Sequence, residues 1–347
     1  MCRATWLWQF MQARNGDDEM SAPIMEVENL KKWFPIRMGF FKSVLGKQLF
    51  VRAVDGISFS LHRGEIFGLA GESGSGKTTT GRLLLKLIQP TGGKILFEGK
   101  DVTSLSDRSF KPYRRRMQIV FQDPYESINP RMTIRSIVEE PLIIQGLVGP
   151  DMEERVHKVL EDVELIPPEE FLPRYPHELS GGQRQRVATA RALILGPEFI
   201  VADEPVSMLD VSIRAEVLNL MVELRNKYNV SFLYITHDLA VSRHICDRLA
   251  VMYLGKIMEM SDADELVKDP LHPYTNALIL AVPVPDPTSK RIEVALKGEI
   301  PSPINPPSGC RFHTRCPSYI GDICRNKEPP LQETKKGHLV ACHLYSK

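Results

Sequence analysis

The eight residues Gly71-Glu72-Ser73-Gly74-Ser75-Gly76-Lys77-Thr78 fit the pattern G-x-x-x-x-G-K-[ST] at every position. Glycines at this spacing let backbone N–H groups close around phosphate oxygens, and the lysine and hydroxyl that follow suit a phosphate chain and its magnesium ion. Gly71, Ser73, Gly74, Ser75 and Gly76, with Thr79 at the start of the next element, are expected to cradle α- and β-phosphates. Lys77 would reach the β- and γ-phosphates, and the Thr78 hydroxyl would bind Mg²⁺. The flanks agree with such a P-loop. Residues 65–70 read as a short buried strand, and 78–88 as a helix with Leu83, Leu84, Leu87 and Ile88 on one side.

A second glycine pair lies in Leu179-Ser180-Gly181-Gly182-Gln183, ahead of a run of arginine, alanine and glutamine that favours helix. The glycines are expected just before the helix N-terminus, where unpaired N–H groups and the dipole favour an anion. The Ser180 hydroxyl would add a hydrogen bond. Two phosphate sites in one chain raise the question of whether both serve one nucleotide.

Carboxylates complete the first site. The apolar run 199–202 reads as a strand buried on both faces and ends in Asp203-Glu204. Ligands collect at the C-terminal ends of such strands. Asp203 is expected to hold Mg²⁺, through water, and Glu204 to act as general base on an attacking water. Two more apolar strands end in polar residues: 117–121 leads to Gln122, and 230–236 to His237. Gln122 can touch Mg²⁺ or water, in a loop (123–125) not expected to be rigid; His237 can contact a γ-phosphate.

Taken in order, the P-loop, Gln122, 179–183, Asp203-Glu204, Ser207-Met208-Leu209-Asp210 and His237 resemble the ATP-binding cassette (ABC) ATPases, over roughly residues 25–262. The resemblance implies an α/β P-loop NTPase, a RecA-like core with an antiparallel β subdomain and a helical subdomain inserted at about 108–193. It implies that Ser180, Gly181, Gly182 and Gln183 bind the γ-phosphate of ATP held on a partner subunit's P-loop, in a head-to-tail dimer. Gln122 then marks the loop that senses a membrane subunit, His237 the switch histidine, and Asp210 the loop crossing the dimer interface. Phe34 in Lys31-Lys32-Trp33-Phe34 would stack on adenine, with Trp33 as its rival. Met208 departs from the family, which usually has a small residue there.

The composition fits a subunit of a larger assembly. Lysine and arginine number 44 against 43 acidic residues in 347, a net charge of +1, which gives no support for a nucleic-acid surface. No stretch of about 18 apolar residues exists to span a bilayer. Residues 1–24 carry a short aromatic segment, Thr5-Trp6-Leu7-Trp8-Gln9-Phe10, broken by Asn15-Gly16-Asp17-Asp18-Glu19; they are expected to be a disordered extension. Helical periodicity marks 133–145 and 152–165, the latter with Val156, Val159, Leu160 and Val163 on one stripe.

Beyond residue 262 the chain changes character. Twelve prolines between positions 270 and 330 predict extended segments and turns rather than long helices. Four of the six cysteines, Cys310, Cys316, Cys324 and Cys342, also fall in this region, 263–347. Disulfides are the least favoured reading for an ATP-driven subunit without a secretory signal. The spacings of five, seven and seventeen intervening residues lack the paired C-x₂₋₄-C of structural zinc sites, though His313, His338 and His343 could join a zinc shell. A four-thiolate iron–sulfur cluster tolerates diverse spacings. Spacing alone leaves zinc and iron–sulfur both open.

His272-Pro273-Tyr274-Thr275, residues 281–287 and Gly309-Cys310-Arg311-Phe312-His313-Thr314-Arg315-Cys316-Pro317 are similar to the C-terminal extension of oligopeptide/dipeptide importer ATPases, and residues 122–132 to the F-type member of their D/F pair. That resemblance implies a [4Fe–4S] cluster on the four cysteines, structural in role. It also implies an ATPase motor at the cytoplasmic face of the cell membrane. Its partners would be a second ATPase subunit (a D-type paralogue or a second copy), two transmembrane permeases and, through them, an extracellular solute-binding protein. An importer of another solute, such as a sugar or nickel, is the alternative. A soluble ABC ATPase acting on nucleic acid or ribosomes would usually bring two cassettes or a coiled-coil insertion, and neither is present. Intact Glu204 and His237 argue against a nucleotide sensor that does not hydrolyse ATP.

Overall fold

Short runs without polar alternation become strands buried on both faces, and these strands set the architecture. A computed structural model describes residues 23–36, 48–281 and 298–346. Most of the N-terminal segment expected to be disordered, 1–22, lies outside the described residues. Its last two residues differ from that expectation: Pro23 and Ile24 begin the first strand, because the Ile24 side chain is buried in the core.

Among the described residues, twelve strands follow in chain order: β1 (Pro23–Pro35), β2 (Phe50–His62), β3 (Ile66–Ala70), β4 (Gly92–Phe97), β5 (Lys100–Asp101), β6 (Met117–Val120), β7 (Phe199–Asp203), β8 (Ser231–Thr236), β9 (Arg248–Tyr253), β10 (Lys256–Asp262), β11 (Gln332–Lys335) and β12 (His338–Val340). They form an antiparallel sheet in the order β2-β1-β4-β5 and an eight-stranded sheet in the order β11-β12-β10-β9-β3-β8-β7-β6. Within the larger sheet β9, β3, β8, β7 and β6 run parallel, and β10, β12 and β11 continue it antiparallel. One apolar cluster joins the two sheets around the P-loop helix, with Phe59 stacked on Phe67 at 5.2 Å and Leu83 and Leu84 fully buried.

The parallel register is what assembles the site. Ala70 pairs with Thr236, Ala202 with Val120, and Asp203 with Ile235, so β3, β6, β7 and β8 end on one edge of the sheet. Gly71, Gln122, Glu204 and His237 follow those ends in sequence.

Helices form at both places where the periodicity predicts them. Thr133 caps Ile134–Gln145 by accepting the Ser136 N–H, and Gly146 ends that helix in the left-handed region. Val156, Val159 and Leu160 of Met152–Asp162 bury against Ile137, Val138 and Leu142 in one cluster. Two helices stop earlier than expected. The P-loop helix ends at Leu84, and Lys86 then takes φ 50°, its Nζ turning to the Thr103 carbonyl at 3.1 Å. The other ends at Asp162, before Glu164 at φ 58°. The loop after Gln122 is also more shaped than expected: Asp123 accepts the Tyr125 N–H and caps the short helix Pro124–Ser127.

The C-terminal region holds more regular structure than its prolines predict. Pro273 sits in the first turn of helix Pro273–Leu280, where a missing N–H costs nothing, and β12 pairs with β10 so that the tail extends the main sheet. A fully buried carboxylate ties these pieces together. Glu259 accepts N–H bonds from Leu271 at 2.7 Å and His272 at 3.0 Å, and meets His338 Nε2 at 2.7 Å.

His272 gives this region a pH dependence. Its Nδ1 accepts the Tyr274 N–H at 3.0 Å as the helix cap, which requires that nitrogen to be unprotonated. Burial pushes its pKa from 6.5 down to about 4, with Glu259 acting in the opposite sense. The unfolded chain therefore binds more protons between those values, so stability rises with pH across that window and is lost as pH falls through it. The loss approaches roughly 3 kcal/mol. His272→Asn keeps a cap acceptor that does not titrate. Its thermal midpoint is expected to fall less between pH 6.5 and pH 4 than that of the parent; parallel curves would refute the assignment.

Candidate active site

The P-loop is shaped by glycines that no other residue could replace in place. Gly76 has φ 108°, and a Cβ there would lie 2.2 Å from the Ala53 carbonyl oxygen; at Gly71, φ 147°, it would lie 2.2 Å from that of Met252. Lys77 is buried, and its ammonium donates to the carbonyls of Gly71 at 2.7 Å and Glu72 at 3.0 Å. Burial pushes its pKa down, while the carboxylates of Glu204, Asp203 and Glu72 act the other way. Ser73 and Gly74 are exposed at the loop's tip, Ser75 Oγ lies 3.5 Å from Lys77 Nζ, and Thr79 is half-buried.

Thr78 Oγ1 donates to Asp203 Oδ1 at 2.9 Å. Burial raises the pKa of Asp203, opposed by the Thr78 hydrogen bond and with the Glu204 charge adding to the rise. A half-dry hydroxyl–carboxylate pair of this kind fits a hard divalent cation, which favours oxygen ligands and would offset the cost of the charge. Gln122, the third residue expected at the metal, instead donates from Nε2 to Glu204 Oε2 at 3.2 Å.

His237 Nδ1 meets the same Glu204 oxygen at 3.1 Å. Two residues that follow two other strands, Gln122 after β6 and His237 after β8, thus converge on the carboxylate that follows β7. Glu204 itself takes φ 46°, in the left-handed region, with its N–H bonded to the Ile235 carbonyl at 3.0 Å. The strand stops at Asp203, and this turn swings the next side chain away from it. No sequence signal announced that conformation.

The two aromatic candidates for stacking on adenine have different surroundings. Trp33 Nε1 donates to Asp55 at 2.9 Å, and the Arg52 guanidinium lies 4.7 Å from its ring centroid. Phe34 is exposed at the end of β1, with Lys32 Nζ 4.9 Å from its ring centroid.

The second glycine pair differs from expectation. Gly181 and Gly182 are not ahead of the helix; they are its first two residues, and Ser180 is the N-cap. Ser180 Oγ accepts the Gln183 N–H at 3.2 Å, and Gln183 Oε1 accepts the Ser180 N–H at 2.9 Å, a capping box readable from S-x-x-Q in the sequence. Gly182 is required by packing, since a Cβ would lie 2.5 Å from Ile213 Cγ2. Asp210 is exposed at the start of helix Val211–Tyr228. The segments 180–183 and 207–213 are therefore neighbours.

The tail cysteines also come together. Cys310, Cys324 and Cys342 are buried and Cys316 half-buried, all as free thiols. Burial raises the pKa of Cys310 to about 12 and of Cys316 to about 11, and neighbouring thiols add to both. Among the described residues, however, no group of three or more His, Cys, Asp or Glu is arranged to hold a metal ion. The histidines considered for a zinc shell are engaged elsewhere: His338 with Glu259, His313 Nδ1 with the Cys310 carbonyl at 2.9 Å, and His343 Nε2 with that of Lys327 at 2.8 Å. Also among the described residues, no helix is long and apolar enough to cross a membrane.

Comparison with known proteins gives the class. Residues 54–207 match the family "ABC transporter", and residues 258–324 the family "Oligopeptide/dipeptide transporter, C-terminal region". Solved cassettes share the fold: cbiO1 from Clostridium perfringens, part of the transporter complex cbiONQ, superposes with TM-score 0.61 at 26% identity over 72% of this chain and 92% of that one. MJ0796, as a dimer in a post-hydrolysis state with ADP and Pi, gives 0.59 at 28% identity over 69% and 98%. The oligopeptide transport ATP-binding protein AppF of Bacillus subtilis is 52% identical over 327 residues, 93% of this chain and 98% of AppF. A probable peptide ABC transporter ATP-binding protein of Sinorhizobium fredii, y4tS, is 49% identical over 94% and 91%. The chain belongs to the ATP-binding-cassette ATPases of the oligopeptide/dipeptide transporter family.

Proposed function

We propose that this chain is the ATP-hydrolysing motor of a peptide importer, working at the cytoplasmic face of the cell membrane. The observation that carries the catalytic part is the convergence of Gln122 and His237 on Glu204 beside the P-loop. Glu204, held at two points, takes a proton from the water that attacks the γ-phosphate, and Gln122 and His237 orient that carboxylate and sense the phosphate. Lys77 leaves the loop carbonyls for the β- and γ-phosphates. Thr78 and Asp203 would hold Mg²⁺, which supplies neutralisation of phosphate charge when bound. Gly71 and Ser73–Thr79 line the phosphates, and Phe34, exposed at the end of β1, stacks on adenine.

Ser180 has spent an acceptor site on its own helix and still carries an O–H to donate. That hydroxyl, with Gly181, Gly182 and Gln183, would complete the site of a partner ATPase subunit in a head-to-tail dimer. The neighbouring loop fits an interface: Met208 is 68% exposed and Val211 80%, large apolar side chains flanking Asp210. Arg184, 4.7 Å from the Tyr125 ring centroid, connects the Gln122 loop to this helix and so to the insert that would meet two permease subunits. ATP favours the closed dimer, and hydrolysis releases it. We divide the chain accordingly into a cassette at 25–262 and a tail at 263–347. Reconstitution with its permeases and solute-binding protein should give peptide uptake that stops without ATP; uptake of a sugar or nickel instead would overturn the peptide assignment.

For the tail we propose a [4Fe–4S] cluster on Cys310, Cys316, Cys324 and Cys342. Three buried thiols and the half-buried Cys316, close enough that neighbours add to the pKa rise of Cys310 and Cys316, support it. Such a cluster would supply covalent cross-links to a segment with little core of its own. Protein purified without oxygen is expected to be brown, with about four irons and four acid-labile sulfides per chain. Cys324→Ser should lose both; a colourless parent chain, with or without zinc, would refute it.

A further inference from the structure

The tail reaches into the P-loop itself. Arg315, buried and adjacent to Cys316, donates from Nη1 to Glu72 Oε2 at 2.8 Å and from Nη2 to Glu72 Oε1 at 3.1 Å. This two-bond fork fixes both position and orientation of the carboxylate. Tyr274, from the tail's first long helix, accepts the Glu72 backbone N–H at 3.0 Å. Glu72 is the second residue of the P-loop, and its carbonyl accepts Lys77 Nζ. Tyr253, Tyr274 and Phe312 pack around these bonds with ring centroids 4.7–5.4 Å apart, and Arg315 Nη1 also reaches Tyr253 Oη at 3.4 Å. A second arginine on the same segment, Arg311 next to Cys310, pairs with Asp55, the residue that also holds Trp33.

A carboxylate in a phosphate-binding loop is electrostatically adverse, because its charge opposes that of the nucleotide. Glu72 already acts on Lys77, whose ammonium must serve the phosphates. A neutral residue at position 72 would avoid the repulsion. Here the charge is kept and cancelled by a cation delivered from 243 residues away in sequence.

We propose that Arg315 is a positioning residue for ATP binding: its fork on Glu72 cancels the carboxylate beside the phosphates and sets the P-loop. The cysteine segment that carries Arg315 thereby becomes part of the nucleotide site, and nucleotide affinity depends on that segment being in place. This rests on the P-loop of this chain binding ATP.

The test is a charge cycle on the full-length chain, read as the equilibrium Kd for Mg-ATP and, separately, the thermal midpoint. Arg315→Gln is expected to weaken ATP binding about tenfold, since it leaves Glu72 unpaired beside the phosphates. Glu72→Gln in the same chain is expected to restore affinity to within about threefold of the parent, because the repulsion is removed with its cause. A tail anchor and nothing more would lower the midpoint in both variants without moving the Kd of the folded protein. Unchanged affinity in Arg315→Gln, or no recovery in the double variant, overturns the proposal. If Arg315→Gln does not fold, Arg315→Lys keeps the charge and loses the fork; it should weaken binding about threefold, and parental affinity there overturns the proposal equally. A parent chain that binds no ATP would instead overturn the reading of the P-loop on which this rests.

Discussion

Glu204→Gln is expected to lower kcat for ATP hydrolysis by about 10²–10³-fold while ATP binding persists. The substitution keeps the shape of the side chain and leaves an amide oxygen to accept from Gln122, so the strand end and its turn should survive. What it removes is a carboxylate placed to take a proton, held by Gln122 at 3.2 Å and His237 at 3.1 Å. A loss seen in kcat with little change in KM would mark an interaction made in the transition state. The measurement is steady-state phosphate release by the assembled ATPase dimer, with nucleotide binding assayed in parallel. Hydrolysis near the parental rate would remove Glu204 from the base role.

Lys77→Ala is expected to weaken ATP binding by about 10²-fold or more. Three carboxylates, Glu204, Asp203 and Glu72, lie close enough to affect the Lys77 ammonium, and that ammonium is the charge among them that the phosphates can use. Its removal leaves the loop carbonyls of Gly71 and Glu72 without their donor and the phosphates facing the charge of Asp203 and Glu204. Lys77→Arg should not restore affinity, because a flat fork does not replace a compact ammonium in a buried loop. Titration of ATP against each variant checks this; parental affinity in Lys77→Ala would show that the lysine does not reach the nucleotide.

These expectations depend on residues that stand far apart in the chain, and their types were readable before their positions. Gly71–Thr78, Asp203-Glu204, Gln122 and His237 could be picked out because each is a polar or glycine-rich break at the end of an apolar run, and period and composition report such ends reliably. The helical insert was readable for a similar reason: the stripe Val156, Val159, Leu160 is the face that buries. The errors also have physical causes. Ser180 was read as a phosphate ligand alone when its S-x-x-Q pattern also specifies a capping box, and so the helix began at Gly181, earlier than expected. Proline density in the tail concealed two facts, that Pro273 is compatible with a first helical turn and that β12 could find an open edge at β10.

The sequence by itself determined the chemistry available to this protein: a glycine-rich loop suited to phosphate, acids and amides at strand ends, and a cysteine-bearing tail. Those properties are local, and glycine φ angles, helix caps and buried runs are written over a few residues. Tertiary structure alone decided which of these side chains touch. Parallel register put Gln122 and His237 on one oxygen of Glu204, and a left-handed turn at Glu204 aimed it there. Chain crossing brought Arg315 onto Glu72, a pairing that no spacing, periodicity or composition encodes. Such contacts arise from packing between segments hundreds of residues apart, where the energy of one ion pair is set by the burial that the whole fold provides.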